Sequence, residues 1–205
     1  MKWLAFFAFG ALCGLANGDT QCFTERSLEC NRQLQNEFLF DFSFCSLQKR
    51  LIGCLTKLAI DCDLKFKSLA EKVDSIVEEI CTEGSKLHEE LDENKECIIK
   101  GVTDGECLEP IMHILGKGSS SKEILKIQKE TCRHLDQMTT CTVEKVKEAC
   151  GEDIVSFFRS LYDPAIELHE RFCKEVILPM NENAFNARPA EISLPSFFGQ
   201  LEFII

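Results

Sequence analysis

Residues 64–81 read LKFKSLAEKVDSIVEEIC, and their periodicity decides the fold class. Leu69, Val73, Ile76, Val77 and Ile80 recur at intervals of three and four, while Glu71, Lys72, Asp74, Glu78 and Glu79 take the other face. At 3.6 residues per turn such positions share one side of an amphipathic helix. The same period returns along the chain. Gly84 supplies a stop and Ser85 a cap, opening a helix from Lys86 to about Ile99. Ser120 with Glu123 forms a capping box ahead of Ile124, Leu125, Ile127 and Cys132. Gly151 punctuates after Cys150, and residues 154–177 resume the period with a break expected at Pro164. One run alternates with a period of two: Phe38, Phe40, Phe42 and Phe44 predict an extended lead-in. The predicted class is all-α.

The cysteines set the organisation. Of 13, Cys13 lies in an amino-terminal stretch with Lys2, an apolar run from Trp3 to Leu15, and small residues Ala16 and Gly18 ahead of Asp19. That is the grammar of a cleaved signal peptide, residues 1–18, and the run is shorter than the roughly 20 residues of a membrane span. The expected product is therefore secreted, with no membrane span. An even set of cysteines remains, which suits an oxidising compartment. They fall into two blocks of six: Cys22, Cys30, Cys45, Cys54, Cys62 and Cys81, then Cys97, Cys107, Cys132, Cys141, Cys150 and Cys173. The central gaps are eight and seven residues in the first block, eight and eight in the second. Leu69, Val73, Ile76, Glu78 and Ile80 align with Leu161, Ala165, Leu168, Glu170 and Phe172. The favoured reading is two tandem six-cysteine, disulfide-stapled helical repeats, residues 19–84 and 85–178, with an irregular C-terminal tail, 179–205. The other reading is one irregular twelve-cysteine domain. Gly84-Ser85, Gly101 to Gly105 and Gly116 to Ser121 read as linkers, and the apolar end from Phe197 to Ile205 as a segment packed on the body.

Six cysteines allow fifteen pairings per block, and spacing does not choose among them. It does forbid one: Cys45 and Cys54, nine apart on one helix, face opposite sides and must reach different elements. All twelve are expected to pair within their own block. Each tie is worth roughly 2–5 kcal/mol, which matters for repeats whose own cores are small.

Composition narrows the function. The chain has 34 acidic and 23 basic residues; without Lys2 the balance is 34 to 22, a net charge of −12. Nucleic acid and anionic membrane carry the same sign and are excluded as partners on that ground. No Asn-x-Ser/Thr acceptor is present. The glycine-serine loop lacks the ending of a phosphate cradle. His88, His113, His134 and His169 sit in no His-Glu-x-x-His frame and are expected at solvated helix positions. There is no Gly-x-Ser-x-Gly elbow, and no spacing singles out a carboxylate pair. The chain is read as a non-enzyme needing no metal and no cofactor.

A central Cys-x8-Cys-x7,8-Cys and the Cys150-Gly151 step, set among helices behind a leader, resemble the secreted cysteine-rich helical proteins of nematodes and arthropods. These are grouped as a domain of unknown function or as hemolymph-protein relatives. The resemblance implies secretion and a helical fold, and no catalytic residue is carried over from it. Hemolymph relatives are commonly glycosylated, whereas this chain has no acceptor site.

The expected function is a secreted non-enzymatic binding protein of extracellular fluid, carrying a hydrophobic small molecule between Phe38, Phe40, Phe42 and Phe44 in the first block and Phe157, Phe158 and Leu161 in the second. The alternative is a protein-interaction effector such as a venom component, inhibitor or receptor ligand, with an unknown protein partner, no cavity, and those phenylalanines simply forming the cores. Either way the far-ultraviolet circular dichroism spectrum should be helical, and complete reduction should abolish it. A β-type spectrum, or a thermal midpoint unmoved by reduction, would refute the reading.

Overall fold

The computed structural model describes Cys22, Phe23, Arg26, residues 44–112 and residues 121–180. Helix α1, Phe44–Asp61, buries Gln48, Leu51, Ile52, Leu55, Leu58 and Ala59 on one face. Helix α2, Lys67–Ile80, buries Ala70, Val73, Val77 and Ile80, the stripe read from the sequence with Ala70 added. Gly84 then takes φ +79°, a conformation glycine adopts without a Cβ penalty. The Ser85 hydroxyl accepts from the His88 amide at 3.0 Å and opens α3, Lys86–Val102. A 3₁₀ turn, Gly105–Leu108, and the short α4, Glu109–Met112, follow. Helix α5, Ser121–Cys150, has 30 residues and is about 45 Å long at 1.5 Å per residue. Gly151 at φ +88° turns the chain into α6, Glu152–Phe172, which ends in a π-helical turn, Cys173–Ile177. Among the described residues there is no strand.

Three local expectations are corrected. Phe44, placed at the end of an extended run, is the first residue of α1, because the three-and-four spacing of buried residues after it governs; Phe38, Phe40 and Phe42 lie outside the described residues. Pro164 is buried within α6 and does not break it. A proline in a helix interior costs about 3 kcal/mol, but Phe157, Phe158, Leu161, Leu168 and Phe172 are buried on both sides of it. At roughly 1.5–3 kcal/mol for each such side chain, their burial outweighs that cost. Gly101 is part of α3 and no linker, and its backbone packs directly on Val146 of α5. A Cβ added there would lie 2.6 Å from the Val146 Cα. The other two linker candidates divide: Gly84-Ser85 is a turn between helices, whereas residues 116–120 lie outside the described residues, as do Ser120 of the capping box, residues 1–18 and the tail from 181.

Helices α1 and α2 pack as one hairpin and α5 and α6 as another, with α3 along α5 and α2 against α6. Two core clusters result. The first holds Phe23, Phe66 and the inner faces of α1 and α2, together with Leu125, Leu168, Phe172 and Val176. Phe172 is its centre, edge-on to Phe23 at 5.1 Å and to Phe66 at 6.1 Å between ring centroids. The second joins Ile80 and Ile98 to Val143, Val146, Phe157, Phe158 and Leu161. Residues from both sides of Gly84 contribute to each cluster.

The five disulfides between described residues stay within their blocks. Cys22–Cys62 and Cys45–Cys81 lie in the first; Cys97–Cys150, Cys107–Cys141 and Cys132–Cys173 lie in the second. In order along each block, the first cysteine bonds the fifth and the third bonds the sixth. Cys54 is disulfide-bonded as well, and Cys30 lies outside the described residues. Cys45 and Cys54 thus reach different partners, as their helical phase requires.

The α3–α5 contact has a direct test. Gly101→Ala should destabilise by about 1–3 kcal/mol through overpacking, less the roughly 1 kcal/mol that alanine gains as a helix former. Gly105→Ala, with nothing within 4 Å of its added methyl, should be near neutral. Denaturant midpoints compare the two, and equal stability would mean that the helices separate at no cost.

Candidate functional site

The predicted apolar lining is accounted for first. Phe157, Phe158 and Leu161 are buried in the second cluster, with Phe158 stacked on Tyr162 at 4.8 Å between centroids. Their neighbours Ile98 and Val146 have no exposed surface, so these side chains fill the space between α3, α5 and α6. Phe44 belongs to α1, and the remaining first-block phenylalanines lie outside the described residues.

Among the described residues buried polar side chains are few. Thr56 Oγ1 donates across the hairpin to Ala70 O at 3.2 Å, while Thr131 and Thr142 bond back to carbonyls four residues earlier on α5. His169 stands apart as a buried ionisable side chain, 5% exposed. This corrects the expectation of four solvated histidines. His169 lies between Leu168 and Phe172 on a face continued by Leu161 and Ala165, and that period puts it inward. His88 is half-buried, its Nδ1 2.7 Å from the Ile80 carbonyl, where it joins the start of α3 to the end of α2. His134 is half-buried on α5, and His113 lies outside the described residues.

His169 adjoins the Cys132–Cys173 disulfide: the imidazole and the two sulfurs lie within 4.8 Å of one another. While the sulfurs are bonded together they are not thiolates and do not coordinate a cation. Sequence reading missed this grouping because Cys132 is 37 residues from His169 in the chain. The available signal was the spacing of His169 and Cys173, four apart and so on one helix face.

The outer surface is the second feature. From Glu71 to Glu96 there are ten acidic residues and three basic ones. Most are exposed, along α2, the Gly84 turn and the first part of α3. Partial burial, and then the neighbouring Glu78, raise the Asp74 carboxyl above its ordinary range. Lys49 meets Glu78 at 2.5 Å and Lys95 meets Asp92 at 2.6 Å, leaving the stretch with a large net negative charge. Lys145 gathers Glu106 at 2.8 Å, Glu148 at 3.5 Å and Asp104 at 3.6 Å, and is raised above the usual lysine range chiefly by its hydrogen bond with Glu106. Among the described residues the exposed large apolar side chains are Ile60, Ile99, Met112 and Leu178.

Burial alone pushes the His169 imidazole down to about 3 from its ordinary 6.5. Below pH 6.5 the unfolded chain therefore takes up a proton that the folded chain refuses until about pH 3. The stability tied to neutral His169 is complete above the unfolded value and declines as pH falls through this window, by up to roughly 1.4 kcal/mol per pH unit. His169→Val should flatten the stability profile of the disulfide-bonded protein between about pH 6.5 and pH 5, before most carboxylates titrate. Denaturant unfolding across that range checks this, and an unchanged slope would place the acid sensitivity elsewhere.

No family model matches this chain, and no curated protein or solved structure shows a significant match to it.

Proposed function

We propose that this chain is a secreted, non-enzymatic binding protein of extracellular fluid that engages a basic protein partner through the acidic surface of α2 and α3. The observation that carries the reading is the concentration of negative charge between Glu71 and Glu96, at ten acids to three bases. Its placement supports the same view, because Glu78 and Glu79 stand in the last turn of α2 with no basic residue there. Acids at a helix C-terminus oppose the macrodipole by roughly 0.3–1 kcal/mol each. Disulfides and the absence of a membrane-spanning helix among the described residues fit export, as does the spacing resemblance to cysteine-rich helical proteins of nematodes and arthropods. Burial of Phe157, Phe158 and Leu161 in the core favours the protein-interaction reading over carriage of a hydrophobic small molecule.

Carbodiimide couples carboxylates directly to amines, so it can trap the partner in the fluid that contains this protein. Partner lysines should be found joined to carboxylates of residues 71–96. Changing Glu71, Glu79, Glu83, Glu89, Glu93 and Glu96 together to Gln should weaken binding more than about tenfold, and added salt should weaken the wild-type complex. A partner coupled elsewhere, or held equally by the neutralised variant, overturns the assignment. Lipid retained by the purified protein in native mass spectrometry would instead favour the carrier.

A further inference from the structure

Two sulfurs and an imidazole converge in the second block. Cys132 comes from α5, His169 from α6 and Cys173 from the π-helical turn that ends α6, with their ligand atoms within 4.8 Å of one another. His169 and Cys173, four residues apart on one face, have the spacing by which a helix presents two ligands to one ion. Cys132 faces them from the adjacent helix, its Cα 5.6 Å from that of Cys173. Zinc binds thiolate at about 2.3 Å and imidazole at about 2.0 Å, so tetrahedral ligand atoms lie roughly 3.5–3.8 Å apart. With the bond open, shifts of about 1–2 Å in the ligand atoms would reach that spacing. The matched position in the first block, beside Cys45–Cys81, is Val77, which has no ligand atom.

We propose that Cys132, His169 and Cys173 form a two-thiolate, one-imidazole site for a thiophilic divalent cation of the zinc class, filled while the Cys132–Cys173 bond is open and closed when it forms. Opening the bond takes two electrons and two protons from a dithiol, which closes to its own cyclic disulfide and leaves two cysteine thiols. The cation then displaces both thiol protons to solvent. His169 and Cys173 are buried while Cys132 is only half-buried, so the fourth position, taken by water, lies on the Cys132 side. The same two sulfurs therefore hold either each other or a metal ion.

The test is oxidative refolding of the fully reduced chain in glutathione buffer, with and without Zn²⁺. Without zinc, wild type should reach its complete set of disulfides. With zinc, native mass spectrometry should show a species carrying one zinc ion and one disulfide fewer, and alkylation mapping should identify Cys132 and Cys173 as its unbonded pair. Replacing Zn²⁺ by Co²⁺ should give thiolate-to-cobalt charge-transfer absorption at one ion per chain. His169→Val, which installs the first block's residue, should form all its disulfides in either condition and lose that absorption, with an unchanged helical spectrum as the control for folding. A wild-type chain that completes its disulfides metal-free in zinc overturns the proposal. So does a different unbonded pair, or undiminished cobalt absorption in a folded His169→Val chain.

Discussion

Three disulfides leave α5, and the arrangement of the second block depends on them. Cys132, Cys141 and Cys150 are spaced nine apart, so each step turns the helix by about half a revolution. Successive cysteines therefore point to opposite sides. The bonds follow that phase: Cys132 and Cys150 reach the end of α6 and α3, while Cys141 reaches the 3₁₀ turn through Cys107. A 30-residue helix held from two sides becomes the surface on which α3 and α6 are laid. Gly101 lets α3 come close enough to use it, and the Phe172 contacts with Phe23 and Phe66 then join the α5–α6 hairpin to α1 and α2.

How much of this the sequence discloses depends on the range of the interaction. The α2 stripe, the Gly84 stop, the Ser85 cap and the Gly151 turn are local, and each stands where periodicity and turn chemistry put it. Pro164 and Gly101 were misread because local propensity was weighed without the partner helix. The proline is retained by a core assembled on both sides of it, and the glycine is needed for Val146 on α5. Disulfide partners were readable only as an exclusion, since helical phase forbids a Cys45–Cys54 bond and selects no alternative. His169 falls between these cases. Its helical phase marks it as inward, whereas its nearness to Cys132 comes from the packing of α5 on α6.

The two cysteine blocks correspond in two further ways. First-to-fifth and third-to-sixth bonds occur in both blocks. Buried positions also coincide: Gln48, Leu51, Leu55, Thr56 and Ala59 lie 87 residues before Leu135, Met138, Thr142, Val143 and Val146, all of them buried. Phe66 and Phe158, 92 apart, are both core aromatics. Against these correspondences one difference is informative. Val77 is answered by His169, exchanging a side chain that satisfies a core for one that must forgo its charge to stay there.

The same reasoning applies to the acidic surface, which departs from what stability alone would select. A helix gains from cations in its last turn, and α3 follows that rule with Lys100 while α2 ends in Glu78 and Glu79. The surrounding contacts hold this end in place, and Lys49 of α1 pairs with Glu78 while Glu79 stays exposed. The Ser85 hydroxyl donates to the Glu79 carbonyl at 2.6 Å, His88 Nδ1 lies by the Ile80 carbonyl, and Cys81 anchors the helix terminus to Cys45. Satisfying the last carbonyls while leaving the carboxylates exposed preserves both the fold and the field. Natural sequences break a local electrostatic rule chiefly where function requires it. At the end of α2 that rule is broken beside the Cys45–Cys81 disulfide, which fixes the helix terminus to α1 whatever charge its last turn carries.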